Sequence, residues 1–417
     1  MGDQTSPAGQ TAPLLALVGS GDRRYREYII AALNSQFRLW LLDAVDPTWH
    51  TPYLTGFTRV DTHDPAALVQ AVRAVGAEGE PVAGILSYDE WLVGATAAAA
   101  EQLGLPGSPP QAVSACRDKA ATRRALTDHG IPQPQSVAVT GPTEALEAAA
   151  RIGYPVVVKA RRLAGSIAVQ RVDDDESLVE AFRAADTATF PNVLRDGANV
   201  LVEEYLDGPE ISIDSAVING TVIPLALARK HTGLAPYFEE IGHLVDAADP
   251  LLTDQTITDQ LHRIHSAVGI THGMTHTEFR LTSKGPRLIE INARLGGDFI
   301  PYLGHLATGI DLAIVAGHIA TGHRPTTTPT RRRVAGIRFL YPPTDCQILD
   351  LRVHTDLATP AVHAAVATGQ AGQNLALPPR GFLSRYGHLI AVTNSVDQTN
   401  AELERAHSII ELEYKPI

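Results

Sequence analysis

From residue 14 onward, apolar runs alternate with amphipathic stretches. LLALVG at 14–19 reads as a buried strand that runs into Ser20-Gly21-Asp22. Tyr25, Ile29, Ala32 and Leu33 then repeat at helical spacing. Further strands are predicted at Leu39–Asp43, Phe57–Val60 and Val82–Ser87, with helices over Pro65–Val75 and Val93–Leu103. Alternating strands and helices predict a doubly wound parallel sheet, closed by the turn-rich LGLPGSPP. A helix over Ser114–His129 follows, ended by Gly130 and Pro132. Next come strands at Gln135–Val139, Val156–Lys159, Ala168–Val172 and Val200–Glu204, with helices at Thr143–Ile152 and Asp175–Ala185. A larger β-rich stretch follows: Ile211–Ile218, Val222–Arg229, Thr275–Leu281 and Arg287–Ile291, with helices at Thr256–Val268 and Asp311–Thr321. RPTTTPTRRR at 324–333 is a polar linker or exposed loop, and strands at Val334–Leu340 and His388–Val392 mark a small C-terminal α/β unit.

This pattern divides the 417 residues into a leader at 1–12, a doubly wound domain at 13–110, a central domain at 111–325 and a C-terminal domain at 331–417. Within the central domain, about 135–205 forms a small subdomain. The leader, MGDQTSPAGQTA, is polar, without the basic start and apolar core of a signal peptide, and is read as disordered. Two cysteines, Cys116 and Cys346, cannot make a disulfide framework, so a reducing, cytoplasmic setting is expected. No apolar run approaches membrane-spanning length. The formal charge of −12 argues against a nucleic-acid partner. Of the 34 basic residues only five are lysine: Lys119, Lys159, Lys230, Lys284 and Lys415. In a chain that writes Arg for most positive charges, the lysines are the first places to look for a compact ammonium with a specific task.

The chemistry concentrates in three places. In TEFRL…RLIEINARLGGD, Glu278 lies on one predicted strand, and Glu290 and Asn292 lie two apart on the next, on one face. Two carboxylates and an amide oxygen make a hard-oxygen site suited to Mg²⁺, although the spacing equally fits a solvated hairpin face. Arg294 follows, placed to stabilise a transferring phosphoryl group, and Gly296 and Gly297 let backbone approach a ligand closely. In VVVKARRLAGSIAV, Lys159 closes a β-branched strand, and Ala164-Gly165-Ser166 forms a small-residue loop able to fold over phosphates. The bland reading there is a strand-end lysine reaching water beside a turn. In VLVEEYLDGPEISID, backbone around Glu203, Glu204 and Leu206 could pair with an adenine edge, and Glu210 could accept from ribose hydroxyls. A plain acidic hairpin fits that stretch too.

Taken in this order, the segments resemble the ATP-grasp superfamily of carboxylate–amine ligases, closest to the branch of L-amino-acid ligases and carnosine-synthase-like enzymes. The resemblance runs from about residue 14 to the C-terminus and is most specific from Lys119 to Asp298. It implies an α/β ATP-grasp fold: a doubly wound N-terminal domain, a central two-subdomain nucleotide clamp and a small C-terminal α/β domain. It implies that Lys119 and Lys159 hold phosphates, with Lys159 and Arg294 catalytic. Gly165 and Ser166 would belong to a phosphate lid, Glu203, Glu204 and Leu206 to the adenine hinge, and Glu210 to the ribose contact. Glu278, Glu290 and Asn292 would bind Mg²⁺. Glu240 and His243 match an E-x-x-H stretch near the substrates, where His276, Arg294, Gly296 and Gly297 would also lie. Lys230 is grouped with the ATP contacts, but its segment ARKHTG lacks the acidic residue that relatives more often carry just before the lysine.

The implied activity is ADP-forming amide synthesis from a small acid, such as an amino acid, and an amine through an acyl phosphate. ATP is the co-substrate, and a homodimer is the implied assembly. Two alternatives remain at this stage: a carboxylase-type enzyme of the same superfamily, for which no biotin-carrier segment is visible, and a nucleotide-binding protein without catalysis.

Overall fold

The apolar run at the start of the first domain becomes β1 (Leu14–Val18), with all five side chains buried. The computed structural model describes residues 9, 11–79, 81–190, 195 and 197–417. Most of the expected leader therefore lies outside the described residues. Asp22 caps α1 (Arg23–Asn34) by accepting from the Arg24 N–H. β2 (Arg38–Asp43), β3 (Gly56–Arg59), α2 (Pro65–Glu78), β4 (Val82–Leu86) and α3 (Val93–Leu103) complete the unit. The strands are parallel in the order β3-β2-β1-β4. The chain thus moves outward from β1 to β3, then returns to the far side of β1. In open sheets of this kind, the carboxyl ends at such a reversal form a ligand crevice.

The helix predicted over 114–129 is two helices, α4 (Pro110–Arg117) and α5 (Lys119–Asp128). Asp118 separates them in an extended conformation, and its carboxylate accepts from the Ala120 and Ala121 N–H groups. The apolar spacing runs through both helices, which concealed the break. Its consequence is that Lys119 opens a helix instead of sitting on one. The small subdomain follows: β5 (Ser136–Val139), α6 (Pro142–Ile152), β6 (Val156–Ala160), β7 (Gln170–Val172), α7 (Asp175–Thr187) and β8 (Val200–Glu204). Its sheet is antiparallel, ordered β5-β8-β6-β7, with α6 and α7 sharing its core. β7 starts later than predicted because Gly165, Ser166 and Ala168 all have positive φ, which holds the loop off the sheet.

β9 (Glu210–Ile218), β10 (Thr221–Gly233), β11 (Glu239–Asp246), α8 (Gln255–Val268), β12 (Gly273–Thr282), β13 (Gly285–Asn292), α9 (Ile300–Thr308) and α10 (Leu312–Ala320) form the larger part of the central region. Beyond it lie β14 (Val334–Leu340), β15 (Cys346–Val353), β16 (Val362–Ala367), β17 (Asn374–Leu375), β18 (Gly387–Thr393), α11 (Val396–Glu404), α12 (Ala406–Ile409) and β19 (Ile410–Pro416). One eight-stranded sheet runs β13-β12-β9-β10-β11-β14-β18-β16, so the C-terminal segment continues the central sheet. β15, β17 and β19 make a separate three-stranded sheet. β11 was not predicted, because its acidic residues and histidine hide the strand pattern. Among the described residues no helix is long and apolar enough to cross a membrane; α9 and α10 are apolar but short, meet at 105° and lie in the core.

That core joins Leu15, Ile29 and Phe37 of the first domain to α9, α10 and β14. The fit is close at Gly84 on β4, where an added Cβ would lie 2.2 Å from the Ala320 carbonyl oxygen. Backbone cannot step aside as a flexible side chain can. Gly84→Ala is therefore expected to destabilise the fold by about 2 kcal/mol or more. A calorimetric melt checks this; an unchanged midpoint would refute the tight docking of β4 on α10.

Candidate active site

A cleft holding about 940 Å³ of open space lies between the small antiparallel sheet and the β9–β13 half of the large one. Lys119, Lys159, Gly165, Ser166, Glu203, Glu204, Leu206, Glu210, Lys230, Glu240, Glu278, Glu290, Asn292 and Arg294 all line it. His243, His276, Gly296 and Gly297 are not among its lining residues.

The small sheet supplies Lys159. In the β6–β8 register Lys159 faces Leu201, so Glu203, two residues on, lies on the same face. Lys159 Nζ sits 2.5 Å from Glu203 Oε2, and Arg123 Nε donates to Glu203 Oε1 at 2.7 Å. Arg123 also donates to the Ile289 carbonyl at 2.8 Å, tying this group to β13. Burial opposes ionisation of Glu203, but the Arg123 and Lys159 cations outweigh it and hold its carboxyl far below the usual range. For Lys159 burial dominates and lowers the ammonium's pKa, with Glu203 working against it. The Glu203 carboxylate is thus engaged inside the protein. Its backbone lies in a central strand, in register with Ser136 on one side and Val157 on the other. The Glu204 N–H donates to the Gln135 carbonyl. The chain leaves the sheet at Tyr205 and Leu206, and all four residues from Glu203 to Leu206 border the cleft.

The large sheet supplies an ammonium among acids. Lys230 on β10 is in register with Glu210 on β9 and His243 on β11. Its Nζ lies 2.7 Å from Glu240 Oε1, 2.8 Å from Glu210 Oε1 and 2.9 Å from Glu278 Oε1. Burial disfavours the charge, but the three carboxylates raise its pKa well above the ordinary lysine value. The acidic residue missing before Lys230 in sequence is therefore replaced by acids from neighbouring strands. Glu210 is further engaged by Arg280 at 2.9 Å.

Glu278 and Glu290 are direct cross-strand partners in the β12–β13 register, as are His276 and Asn292. Side chains paired in this way project from the same face. Lys119 Nζ donates to the Leu163 carbonyl at 2.6 Å and lies 3.2 Å from Glu290 Oε2. The Asn292 carboxamide lies 2.9 Å from Glu290 Oε1 and 3.2 Å from Glu90 Oε2, and can donate to both. Turned the other way, its oxygen joins theirs in a hard-oxygen set that only a cation would make favourable. These residues fit a Mg²⁺ ion.

Glu90 was not singled out from the sequence. It follows β4, and its Oε2 accepts from Arg294 Nε at 2.6 Å, while Arg117 Nε lies 3.6 Å from its Oε1. A carboxylate just past the last parallel strand of a doubly wound sheet was the available signal. Asp298 and Arg385 were also missed as a pair. Arg385 donates to both Asp298 oxygens, at 2.8 and 2.6 Å, bringing the C-terminal segment to the site. Asp298 and Phe299 both have positive φ, strain of the kind that collects at functional loops. His243 Nε2 lies 3.2 Å from Glu240 Oε2 and 3.8 Å from Asp298 Oδ2.

His276 departs from its expected place among the substrate contacts. It is buried behind Glu278, with Nδ1 2.8 Å from Asp214 Oδ1 and Nε2 3.3 Å from Glu278 Oε1. Burial opposes protonation, but Asp214 and Glu278 outweigh it and raise its pKa to about 9. Gly296 closes over this pair: a Cβ there would lie 2.8 Å from His276 Nδ1 and about 3 Å from both Asp214 oxygens. Gly297 has open space around it.

A cleft between two antiparallel subdomains, lined by paired lysines and a strand-borne acid–acid–amide set, has the arrangement of an ATP-grasp fold. The chain carries ATP-grasp domains: a model of the ATP-grasp domain matches residues 152–301, and one of the ATP-grasp N-terminal domain matches 44–107. Among its relatives, an uncharacterized protein y4rH of Sinorhizobium fredii is 27% identical, over 99% of this chain and 85% of its own length. Human carnosine synthase 1 is 29% identical over 67% of this chain, which spans only 35% of that protein. The crystal structure of an L-amino acid ligase from Bacillus licheniformis superposes with a TM-score of 0.80 at 24% identity, covering 98% of this chain and all of that one.

The electrostatics of the site generate a prediction. Glu203→Ala would leave Arg123 and Lys159 buried without their counter-ion, a loss of about 3–5 kcal/mol. The pH dependence has a definite sign. The folded carboxyl is depressed below the ordinary value of 4.5, so its stabilisation is present above pH 4.5 and is lost as pH falls further. Denaturant titrations from pH 7 to pH 3 should therefore show the variant's deficit shrinking with acid. A constant deficit would contradict the assignment.

Proposed function

We propose that this protein is an ADP-forming ligase that joins a small carboxylic acid, such as an amino acid, to an amine through an acyl phosphate. The observation that carries this reading is the convergence of Lys119, Lys159, Glu278, Glu290, Asn292 and Arg294 on one cleft. The relatives' names support it, since carnosine synthase and L-amino acid ligase both name amide-forming enzymes.

A carboxylate is a poor electrophile toward an amine, and ATP supplies the activation. One oxygen of the acid attacks the γ-phosphorus, the bond to the β-phosphate oxygen breaks, and ADP leaves. The amine then attacks the acyl carbon, phosphate departs, and the amine's proton is lost to base. Lys119 and Lys159 are placed to bind phosphate oxygens. Mg²⁺, held by Glu278, Glu290 and Asn292, would neutralise charge on the transferring phosphoryl group. Arg294, oriented by Glu90, is placed to balance charge on the acyl phosphate. The Gly165–Ser166 loop borders the cleft and is placed to shield that intermediate from water.

Phosphate release over a panel of acids and amines tests the reading. Release should require an acid, an amine and Mg²⁺ together, and should stop on chelation with EDTA. Release driven by bicarbonate alone would favour a carboxylase-type enzyme, and no release with any pair would favour a non-catalytic nucleotide-binding protein. Arg294→Ala should retain ADP affinity within about twofold while product formation drops about 100-fold or more. Unchanged turnover in that variant would defeat its assigned role.

A further inference from the structure

The small subdomain has a core of its own, in which Val139, Val156, Leu178, Phe182 and Val202 pack together. Lys159 and the Gly165–Ser166 loop belong to that unit. Ion pairs from Arg123 to Glu203 and from Asp118 to Arg161, and a β-bridge between Gln170 and Tyr237, join it to the rest of the chain. A unit with a separate core, held by contacts of this kind, can move as a body. One further seam is aromatic. Phe190, two residues past the Ala188 cap of α7, lies flat on Trp91 of the first domain, with ring centroids 4.1 Å apart and planes at 12°. Phe190 is 38% exposed and takes no part in the subdomain's core. Packing within the subdomain gives no reason for a phenyl ring at that position, whereas a stack across to the first domain does.

Trp91 sits in a braced segment between β4 and α3. Ser87 Oγ donates to the Val18 carbonyl at 2.9 Å, and the Tyr88 hydroxyl donates to the Ser20 carbonyl at 2.8 Å. The Arg26 guanidinium rests over Tyr88, 5.5 Å from the ring centroid. The Trp91 N–H donates to Asp89 Oδ1 at 2.8 Å, which closes the turn. Between Asp89 and Trp91 stands Glu90, which accepts from Arg294 Nε at 2.6 Å. Arg117 spans the two neighbours. Its Nε lies 3.6 Å from Glu90 Oε1, and its guanidinium lies 5.7 Å from the Trp91 ring centroid. The loop after Arg294 is fixed separately, by Tyr25 and Tyr28 of α1 against Phe299, with ring centroids 5.5 and 5.7 Å apart. Consecutive residues of one turn therefore face two ways: Trp91 meets the small subdomain, and Glu90 meets Arg294.

Resting on the ligase reading above, we propose that Trp91 is a positioning residue: docking of Phe190 on it couples closure of the small subdomain to the orientation of Arg294. With the subdomain seated, the stack holds Trp91 and Arg117 in place, and Glu90 keeps Arg294 aimed at the transferring group. With the subdomain lifted, the indole and Arg117 lose that support, and Glu90 braces Arg294 less firmly. Phosphoryl transfer is thereby confined to the closed state, in which the Gly165–Ser166 loop keeps water from the acyl phosphate. The coupling runs through packed side chains and one ion pair, with no contact between Phe190 and Arg294 required.

The test uses Phe190→Ala, which removes the stack at an exposed position, and Phe190→Tyr, which keeps it. In Phe190→Ala, kcat for amide formation should fall about tenfold, while KM for ATP stays within about threefold. Phosphate released should exceed amide formed, because the acyl phosphate meets water, and Phe190→Tyr should restore both quantities. Unchanged turnover, a loss that Phe190→Tyr does not recover, or phosphate still released one for one with amide overturns the proposal. Indole fluorescence separates this question from the ligase reading. The chain has two other tryptophans, Trp40 and Trp49, so Trp91→Phe supplies the baseline. Adding Mg-ADP should change the emission of the wild type and leave that of Trp91→Phe and Phe190→Ala flat. If no acid–amine pair releases phosphate, the ligase reading fails, yet an emission change that depends on Phe190 supports the coupled closure. An equal change in wild type and Phe190→Ala, or none in any of the proteins, overturns it.

Discussion

The site depends on one buried ammonium. Lys230 reaches Glu210, Glu240 and Glu278, which sit on three different strands of one sheet. Without a cation among them, three carboxylates this close could not all stay ionised in a buried environment. The lysine therefore permits three acids, Glu210, Glu278 and Glu240, to occupy adjoining positions at the cleft. A compact ammonium can serve three acceptors from different directions, where the planar guanidinium of arginine favours one bidentate partner. In a chain that writes arginine for nearly every other positive charge, this position called for lysine.

The same logic is repeated behind the face that carries Glu278 and Glu290. Glu278 must present an oxygen to the cleft while its neighbours keep it ionised. Lys230 acts from one side and His276 from the other, and Asp214 holds the imidazole. Gly296 lets the backbone close over that pair, which leaves no room for a side chain. The two glycines after Arg294 thus differ in purpose. Gly296 is required by the packing beneath it, whereas Gly297 borders open space. A ring set back from the cleft helps to fix the orientation of a group that lines it, as buried hydrogen-bonded partners do for metal ligands generally.

Much of this was legible in the sequence where the geometry is local. The period-2 spacing of Glu290 and Asn292, and the hairpin that returns Glu278 opposite Glu290, are set by strand alternation alone. Lys159 at the end of a β-branched strand was conspicuous for the same reason. What could not be read came from distance or disguise. Glu90 and Arg385 lie far from Arg294 and Asp298 along the chain, and nothing in their own neighbourhoods announces the pairing. β11 was hidden because the charges that break its apolar pattern are neutralised by one another after folding. The break at Asp118 was masked by apolar spacing that continues across it, although an aspartate four residues into a predicted helix was a usable cap signal. His276, expected among the substrate contacts, instead turns its ring nitrogens to Asp214 and Glu278, a commitment that depends on a partner 62 residues away in the chain.

The first domain has the topology of a dinucleotide-binding unit without its glycine fingerprint, and the geometry shows what that topology does here. Its parallel sheet ends at a crevice, and the segment leaving β4 carries both Tyr88 beneath Arg26 and Glu90 against Arg294. Arg294 is therefore oriented by a residue outside the central domain, and the loop after it is braced by α1 on one side and Arg385 on the other. Three parts of the chain must dock before the arginine is positioned. This explains the continuous core from Leu15 through α10 to β14 and the single sheet that crosses into the C-terminal segment. Small displacements at a transferring group are costly to catalysis, and a site shared between domains can be held in place only by rigid seams of this kind.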